Sequence, residues 1–230
     1  MTSRIVQNLC DALGYQFKDP ALLSQALTHR SHALINNERL EFLGDGLINF
    51  IIGESLYRLR PSAEEGALSR LRASLVREES LALVARDLKL GEAIKFGEGE
   101  LKSGGWRRDS ILADAFEAII GAIFLDGGFE AARDVCLRRF EVLLKQLPDP
   151  ETLKDPKTRL QEWLQARGRP LPVYEVLSES GPPHRRQFVV RSRLIDAEVT
   201  TEAFSNNRRG AEQKAAELLL QRLIATVISP

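Results

Sequence analysis

The chain has 230 residues, 43% of them hydrophobic, and carries 32 Lys and Arg against 32 Asp and Glu, so its formal net charge is zero. That length and apolar content permit a sizeable core plus a second small domain and exclude a disordered polyelectrolyte. The balance is uneven along the chain, because residues 151–230 hold 13 Lys and Arg against 10 Asp and Glu. Cys10 and Cys136 are too few for a disulfide framework and read as buried thiols. The first residues lack the charged start and apolar run of a signal peptide, and the apolar stretch at 110–125 is short and carries two acids. A cytoplasmic protein with no membrane contact is expected.

From residue 4 to about 146 apolar residues recur at three- and four-residue spacing without β-type alternation, which predicts an all-α first domain over residues 4–147. Within it, Glu38, Glu41 and Asp45 stand at i, i+3 and i+7 in an otherwise apolar run. At roughly 100° per residue they fall within an arc of about 60° on one helical face. Carboxylates so crowded repel one another and resist burial unless something positive compensates. On the same helix Leu40, Leu43, Leu47, Phe50 and Ile51 form the expected core stripe, and Phe42 lies off it, near the acids, as an exposed aromatic.

Further on, the segment 110–125 is apolar except for Asp114 and Glu117, again at i, i+3. Two acidic clusters on helical faces, one of three residues and one of two, with no His or Cys among them, suit a hard divalent cation, Mg²⁺ with Mn²⁺ able to substitute. The competing reading is that the acids form ion pairs with Arg39, Arg70 or Arg72.

Pro148, Pro150 and Pro156 punctuate a polar stretch, and residues 148–153 read as a linker. The pattern then changes. Lys157 to Arg167 predicts a helix, Pro172–Ser178, Gln187–Arg193 and Ala197–Ala203 predict strands, and a closing helix begins near Asn207, a suitable cap. The α-β-β-β-α order over residues 154–225 makes the whole chain α+β, with helices able to cover one face of an antiparallel sheet.

The runs Asn37-Glu38-Arg39-Leu40-Glu41-Phe42-Leu43-Gly44-Asp45, Ala26-Leu27-Thr28-His29-Arg30-Ser31 and Ile111-Leu112-Ala113-Asp114-Ala115-Phe116-Glu117-Ala118 resemble those of bacterial ribonuclease III. Residues 155–162 and 208–213 resemble a double-stranded RNA-binding domain, so the likeness spans nearly the whole chain. The resemblance implies Mg²⁺-dependent hydrolysis of double-stranded RNA, leaving 5′-phosphate and 3′-hydroxyl ends with short 3′ overhangs. Its expected substrates are ribosomal RNA precursors, structured messenger RNAs and transfer-RNA precursors. It implies that Glu41, Asp45, Asp114 and Glu117 hold the metal, Asp45 and Glu117 being closest to cleavage. Glu38 and Glu65 match further acids of the family's cleft, and only spacing favours Glu65 over Glu64.

By the same resemblance, Phe42 packs into a second subunit of a homodimer, whose two-fold symmetry matches that of a duplex. Duplex RNA is recognised by shape and 2′ hydroxyls. Thr158, Gln161 and Glu162 are therefore expected at one minor groove, His184 in the Gly181-Pro182-Pro183-His184 loop at the next, and Arg208, Arg209 and Lys214 on phosphates between them. Ala203-Phe204-Ser205-Asn206-Asn207 departs from the family's glycine-containing loop before the basic pair. Lys102, Arg107 and Arg108 flank a Ser-Gly-Gly turn and are candidates for phosphate contact. The rival reading, a duplex-binding regulator that does not cut, would expect acids to have been lost.

Overall fold

The computed structural model describes residues 3–182 and 185–228, and the chain divides into two compact units, Met1–Pro150 and Glu151–Pro230. The first unit is helical: α1 (Ser3–Leu13), α2 (Pro20–Ala26), α3 (Glu38–Leu59), α4 (Glu65–Val76), α5 (Glu78–Asp87), α6 (Leu90–Ala93), α7 (Glu98–Lys102), a 3₁₀ turn (Gly105–Arg107) and α8 (Asp109–Lys145). Asp19 opens α2 by accepting the Ala21 N–H at 2.9 Å, with Pro20 in the first turn where its missing N–H costs nothing. α8 is interrupted at Gly128, whose φ of 84° is open to glycine at little cost. Asp126, just before the break, ties the α1–α2 connection down by accepting the Tyr15 hydroxyl at 2.6 Å and the Lys18 and Asp19 N–H groups at 2.9 and 2.8 Å.

α3 makes its broadest packing against α8, and glycines set how close the two come. A Cβ on Gly44 would lie 1.8 Å from the Glu117 carbonyl oxygen, and one on Gly121 would lie 2.3 Å from that of Leu40. Backbone therefore meets backbone at this crossing. The close approach also corrects the expected core stripe. The buried face of α3 is Leu40, Gly44, Ile48, Ile51, Ile52, Ser55 and Leu56, while Leu43 and Leu47 are only half buried and Phe50 is 61% exposed. The buried line runs through Gly44, where the backbones meet, so the Leu43–Leu47–Phe50 row lies on its flank. Phe42 is 83% exposed.

In the second unit α9 (Pro156–Gln165) precedes an antiparallel sheet, β1 (Val173–Ser180), β2 (Gln187–Arg193) and β3 (Thr200–Ser205) in the order β1-β2-β3, and α10 (Arg208–Ile228) closes it. Leu160 and Leu164 of α9, Leu219, Leu220 and Leu223 of α10, and Leu194 form its core. β2 has the expected bounds, but β3 starts three residues later than its pattern predicts. Ala197 and Val199 belong to the turn before it, where the Val199 N–H bonds the Ala197 carbonyl at 2.8 Å and Asp196 accepts two bonds from Arg169 at 2.8 and 3.0 Å. Both cysteines are free and buried. Among the described residues no helix is long and apolar enough to cross a membrane.

Candidate functional site

The glycine crossing places the acids. Glu41 and Asp45 flank Gly44 on α3, and Asp114 and Glu117 precede Gly121 on α8 by two turns and one turn. Carboxylate oxygens of Glu41, Asp114 and Glu117 lie within 4.8 Å of one another, all partly buried. Among the described residues none of the three forms an ion pair, so the reading that Arg39, Arg70 or Arg72 neutralises them is not what is seen. Arg70 instead donates to the Pro150 carbonyl at 3.1 Å.

Electrostatics registers the crowding. Burial, then the charges of Asp45, Asp114 and Glu41, push the Glu117 carboxyl up to about 8. Burial and the neighbouring Asp114 and Glu38 raise Glu41, and burial with Glu78 raises Asp114, with Arg30 opposing both. An all-oxygen set of mutually repelling, partly buried carboxylates is the donor chemistry of a hard divalent cation.

The other expected acids sit differently. Asp45 is outside the three-oxygen cluster; its carboxylate accepts the Asn49 side-chain amide at 2.8 Å, yet it is the charge that acts most strongly on Glu117. Asn49, one turn after Asp45, was legible as an i, i+4 partner but carries no motif of its own. Glu38 is outside the three-oxygen cluster, 3.5 Å from Arg30, its other oxygen taking the Asn36 amide at 3.2 Å. Glu65 opens α4 and accepts the Ser69 hydroxyl at 2.8 Å, lining a different cavity of about 490 Å³ with Asn49, Tyr57 and Arg72.

In the second unit Thr158, Gln161 and Glu162 are exposed on α9 at helical spacing that puts them on one face. Glu162 accepts from Lys154 at 2.7 Å. The heads of α9 and α10 are stitched together: Gln213 donates to Asp155 at 2.5 Å, and Lys157 reaches Glu212 at 2.7 Å. Arg208, also bonded to Glu212 at 2.9 Å, and exposed Arg209 therefore stand beside the start of α9. Asn207 caps α10, accepting the Gly210 N–H at 2.7 Å, so the departure from the glycine loop leaves the helix start intact. Lys214 is exposed, its ammonium 3.3 Å from the Phe204 carbonyl. His184 lies outside the described residues.

A Ribonuclease-III-like family matches residues 19–143, and a double-stranded RNA binding motif matches residues 156–223. The chain belongs to the ribonuclease III family. It is 57% identical over 215 residues to a Ribonuclease 3 of Alkalilimnicola ehrlichii, covering 94% of each chain. It is likewise 57% identical over 213 residues to that of Xanthomonas axonopodis pv. citri, covering 93% of this chain and 94% of the relative. The nuclease domain of ribonuclease III from Campylobacter jejuni superimposes with a TM-score of 0.61 at 46% identity, covering 64% of this chain and all of that one. A second structure of that domain, described for flexibility in a region involved in dimer formation, gives 0.59 at 48% identity over 60% of this chain and 96% of that one. As a ribonuclease III, the chain is an endoribonuclease of double-stranded RNA with a helical nuclease domain followed by a duplex-binding domain.

Proposed function

We propose that the chain hydrolyses double-stranded RNA with Mg²⁺ bound at Glu41, Asp114 and Glu117, with Asp45 completing the site. The observation that carries this is the convergence of three carboxylate oxygens within 4.8 Å, none of them in an ion pair among the described residues. The bound cation would supply Lewis acidity, activating water for in-line attack and offsetting charge on the departing 3′ oxygen. Glu117, whose carboxyl is raised by burial and by the neighbouring acids, would bind a cation only after releasing its proton. Asn49 holds the Asp45 carboxylate through its 2.8 Å hydrogen bond, one turn along α3.

Cleavage leaves 5′-phosphate and 3′-hydroxyl ends with short 3′ overhangs, and ribosomal RNA precursors and structured messenger RNAs are the substrates. Two copies act together. Exposed Phe42 supports a second subunit covering it, which sets two acidic clusters against the two strands of one duplex. The duplex-binding unit holds RNA through 2′-hydroxyl contacts from α9 and phosphate contacts from Arg208, Arg209 and Lys214, which concentrates substrate at the nuclease unit.

The test is incubation of the purified chain with long duplex RNA in Mg²⁺ and in EDTA. Cleavage with Mg²⁺ alone, lost in Glu117→Gln while duplex binding persists, is the expected result. Duplex left intact in Mg²⁺ by the native chain refutes the reading.

A further inference from the structure

Beside the acidic cluster lies a cavity of about 450 Å³ lined by the acids Glu41 and Asp114 together with Arg30 and Arg108. The chain goes to some length to put these arginines there. Arg30 sits on a loop between α2 and α3 that is pinned at both ends: the His29 N–H bonds the Lys95 carbonyl at 3.1 Å, the Lys95 N–H bonds Leu27 at 2.7 Å, and the Asn37 N–H bonds Thr28 at 2.9 Å. The Gly97 N–H adds a bond to the Ser31 hydroxyl at 3.0 Å, and the His29 ring stacks on Phe96 with centroids 5.5 Å apart. Arg108 immediately precedes α8 and is held by Glu100 at 3.0 Å and by the Ser103 hydroxyl at 3.3 Å. Of the three cations near the Ser-Gly-Gly turn, Arg108 alone faces this cavity. Arg107 lies over the Trp106 ring at 4.7 Å, and Lys102 pairs with Glu98 at 3.6 Å.

Each cavity arginine is thus held by a carboxylate of its own, Glu38 for Arg30 and Glu100 for Arg108, and neither forms an ion pair with Glu41 or Asp114. Both stay largely accessible, with side-chain exposures of 72% and 52%. Ser110 and Ile111 of the first turn of α8 line the same space, at the helix end whose dipole favours an anion. Cation-seeking acids and anion-seeking arginines in one cavity fit a substrate that brings a metal-bound phosphate and a neighbouring phosphate together.

We propose that Arg30 and Arg108 form a two-arginine clamp for a phosphodiester of the RNA strand next to the one being cut, each guanidinium exchanging its holding carboxylate for phosphate oxygens. The planar fork of arginine suits this, since it can take two phosphate oxygens at once. Glu38 then has a role other than metal binding: it keeps Arg30 extended at the cavity lip until RNA arrives. This inference rests on the proposed cleavage of duplex RNA and adds the contact that sets the strand over the acids.

The experiment uses the full chain and the variants Arg30→Gln, Arg108→Gln, the double Gln variant and the double Lys variant, all cutting a defined duplex in Mg²⁺ across a salt titration. The double Gln variant is expected to lose at least about tenfold in kcat/KM, mostly through KM, and its log kcat/KM to fall less steeply with log salt, by roughly 0.7–0.9 for each phosphate contact removed. The double Lys variant is expected to keep the native salt slope while losing part of the rate. The Mg²⁺ concentration that half-saturates thermal stabilisation should be unchanged in the double Lys variant and should fall or stay the same in the Gln variants, which lose the positive charge that Arg30 sets near Glu41 and Asp114, whereas a merely structural role would raise it. An unaltered salt slope in the double Gln variant overturns the clamp while native cleavage stands. So does loss of inhibition by inorganic phosphate without a change in slope, which would assign the arginines to a free anion. If the native chain does not cut, the cleavage reading is what fails, and the clamp is judged by the salt slope of duplex binding measured by fluorescence anisotropy.

Discussion

Replacing Glu117 by Gln tests the acidic cluster without RNA. The Glu117 carboxyl is pushed up from 4.5 to about 8, chiefly by burial and then by Asp45, Asp114 and Glu41. A carboxyl raised in this way leaves stability intact below its unfolded value and removes it as pH rises through the folded value, because the folded chain keeps a proton that the unfolded chain releases. Gln has nearly the shape of the protonated acid and no such dependence. The full shift of roughly 3.5 pH units corresponds to an upper limit of about 5 kcal/mol. Glu41 and Asp114 are raised alongside Glu117 and one side of the cluster is open to solvent, which brings the expectation down to about 2 kcal/mol. At roughly 2–4 °C per kcal/mol for a unit of this size, Glu117→Gln should melt about 4–8 °C above the native chain at pH 8.5 in EDTA and within about 2 °C of it at pH 5. Millimolar Mg²⁺ at pH 8.5 should raise the native melting temperature and close most of that gap, since the cation relieves the repulsion that the substitution removes. Calorimetric scans at the two pH values, with EDTA and with Mg²⁺, read all of this. A gap between the proteins that is the same at pH 5 and pH 8.5, or an equal response of both to Mg²⁺, would refute the reasoning.

Other parts of the chain give equally direct expectations. Gly121→Val puts carbon where the Leu40 carbonyl already lies 2.3 Å from a Cβ position, so it should destabilise the first unit by about 2–3 kcal/mol and abolish Mg²⁺-dependent stabilisation, both visible in the same scans. Asp126→Ala strips acceptors from the Tyr15 hydroxyl and two backbone N–H groups and should cost about 2 kcal/mol in chemical denaturation while leaving cleavage at 25 °C unchanged. Burial raises the Asp126 carboxyl but those three donors outweigh it and hold the group below the usual range, so the stability it contributes should persist above the usual carboxylate range and disappear as pH falls through the lowered value. Arg208→Ala with Arg209→Ala should weaken duplex binding alike for all sequences and flatten its salt dependence by about 1–2 in log-log slope, measured by anisotropy, with folding kept because Lys157 still holds Glu212.

The helical unit, the strand order and the family were legible because periodicity and local chemistry coincide there. Asp-Pro at the heads of α2 and α9 and Asn207 before α10 each put a cap where a helix begins. Spacing also announced the acids. What it missed arises from packing between elements distant in sequence. Hydrophobicity ranks Phe50 above Gly44 as a core residue, yet the core line of α3 runs through Gly44, because the contact that matters there is backbone against the Glu117 carbonyl. The late start of β3 has a similar cause: Val199 reads as strand by propensity, but the bond pairing Arg169 with Asp196 and the bond from Val199 to Ala197 hold that stretch as a turn.

The same distinction separates Glu38 from Glu41. On a helical wheel the two are neighbours of equal standing, and only the fold of the loop between α2 and α3 tells them apart. Backbone bonds from that loop to Leu27, Thr28 and Lys95 bring Arg30 to Glu38, whereas the α8 crossing brings Asp114 and Glu117 to Glu41. One carboxylate is thereby answered by a guanidinium and the other left to repel its neighbours. If that difference governs the chemistry, Glu38→Gln should leave Mg²⁺-dependent stabilisation intact and raise KM, while Glu41→Gln should weaken the response to Mg²⁺ itself. A loss of Mg²⁺ response in Glu38→Gln as large as that in Glu41→Gln would make both acids part of one metal site and remove the division of labour that the Arg30 contact implies.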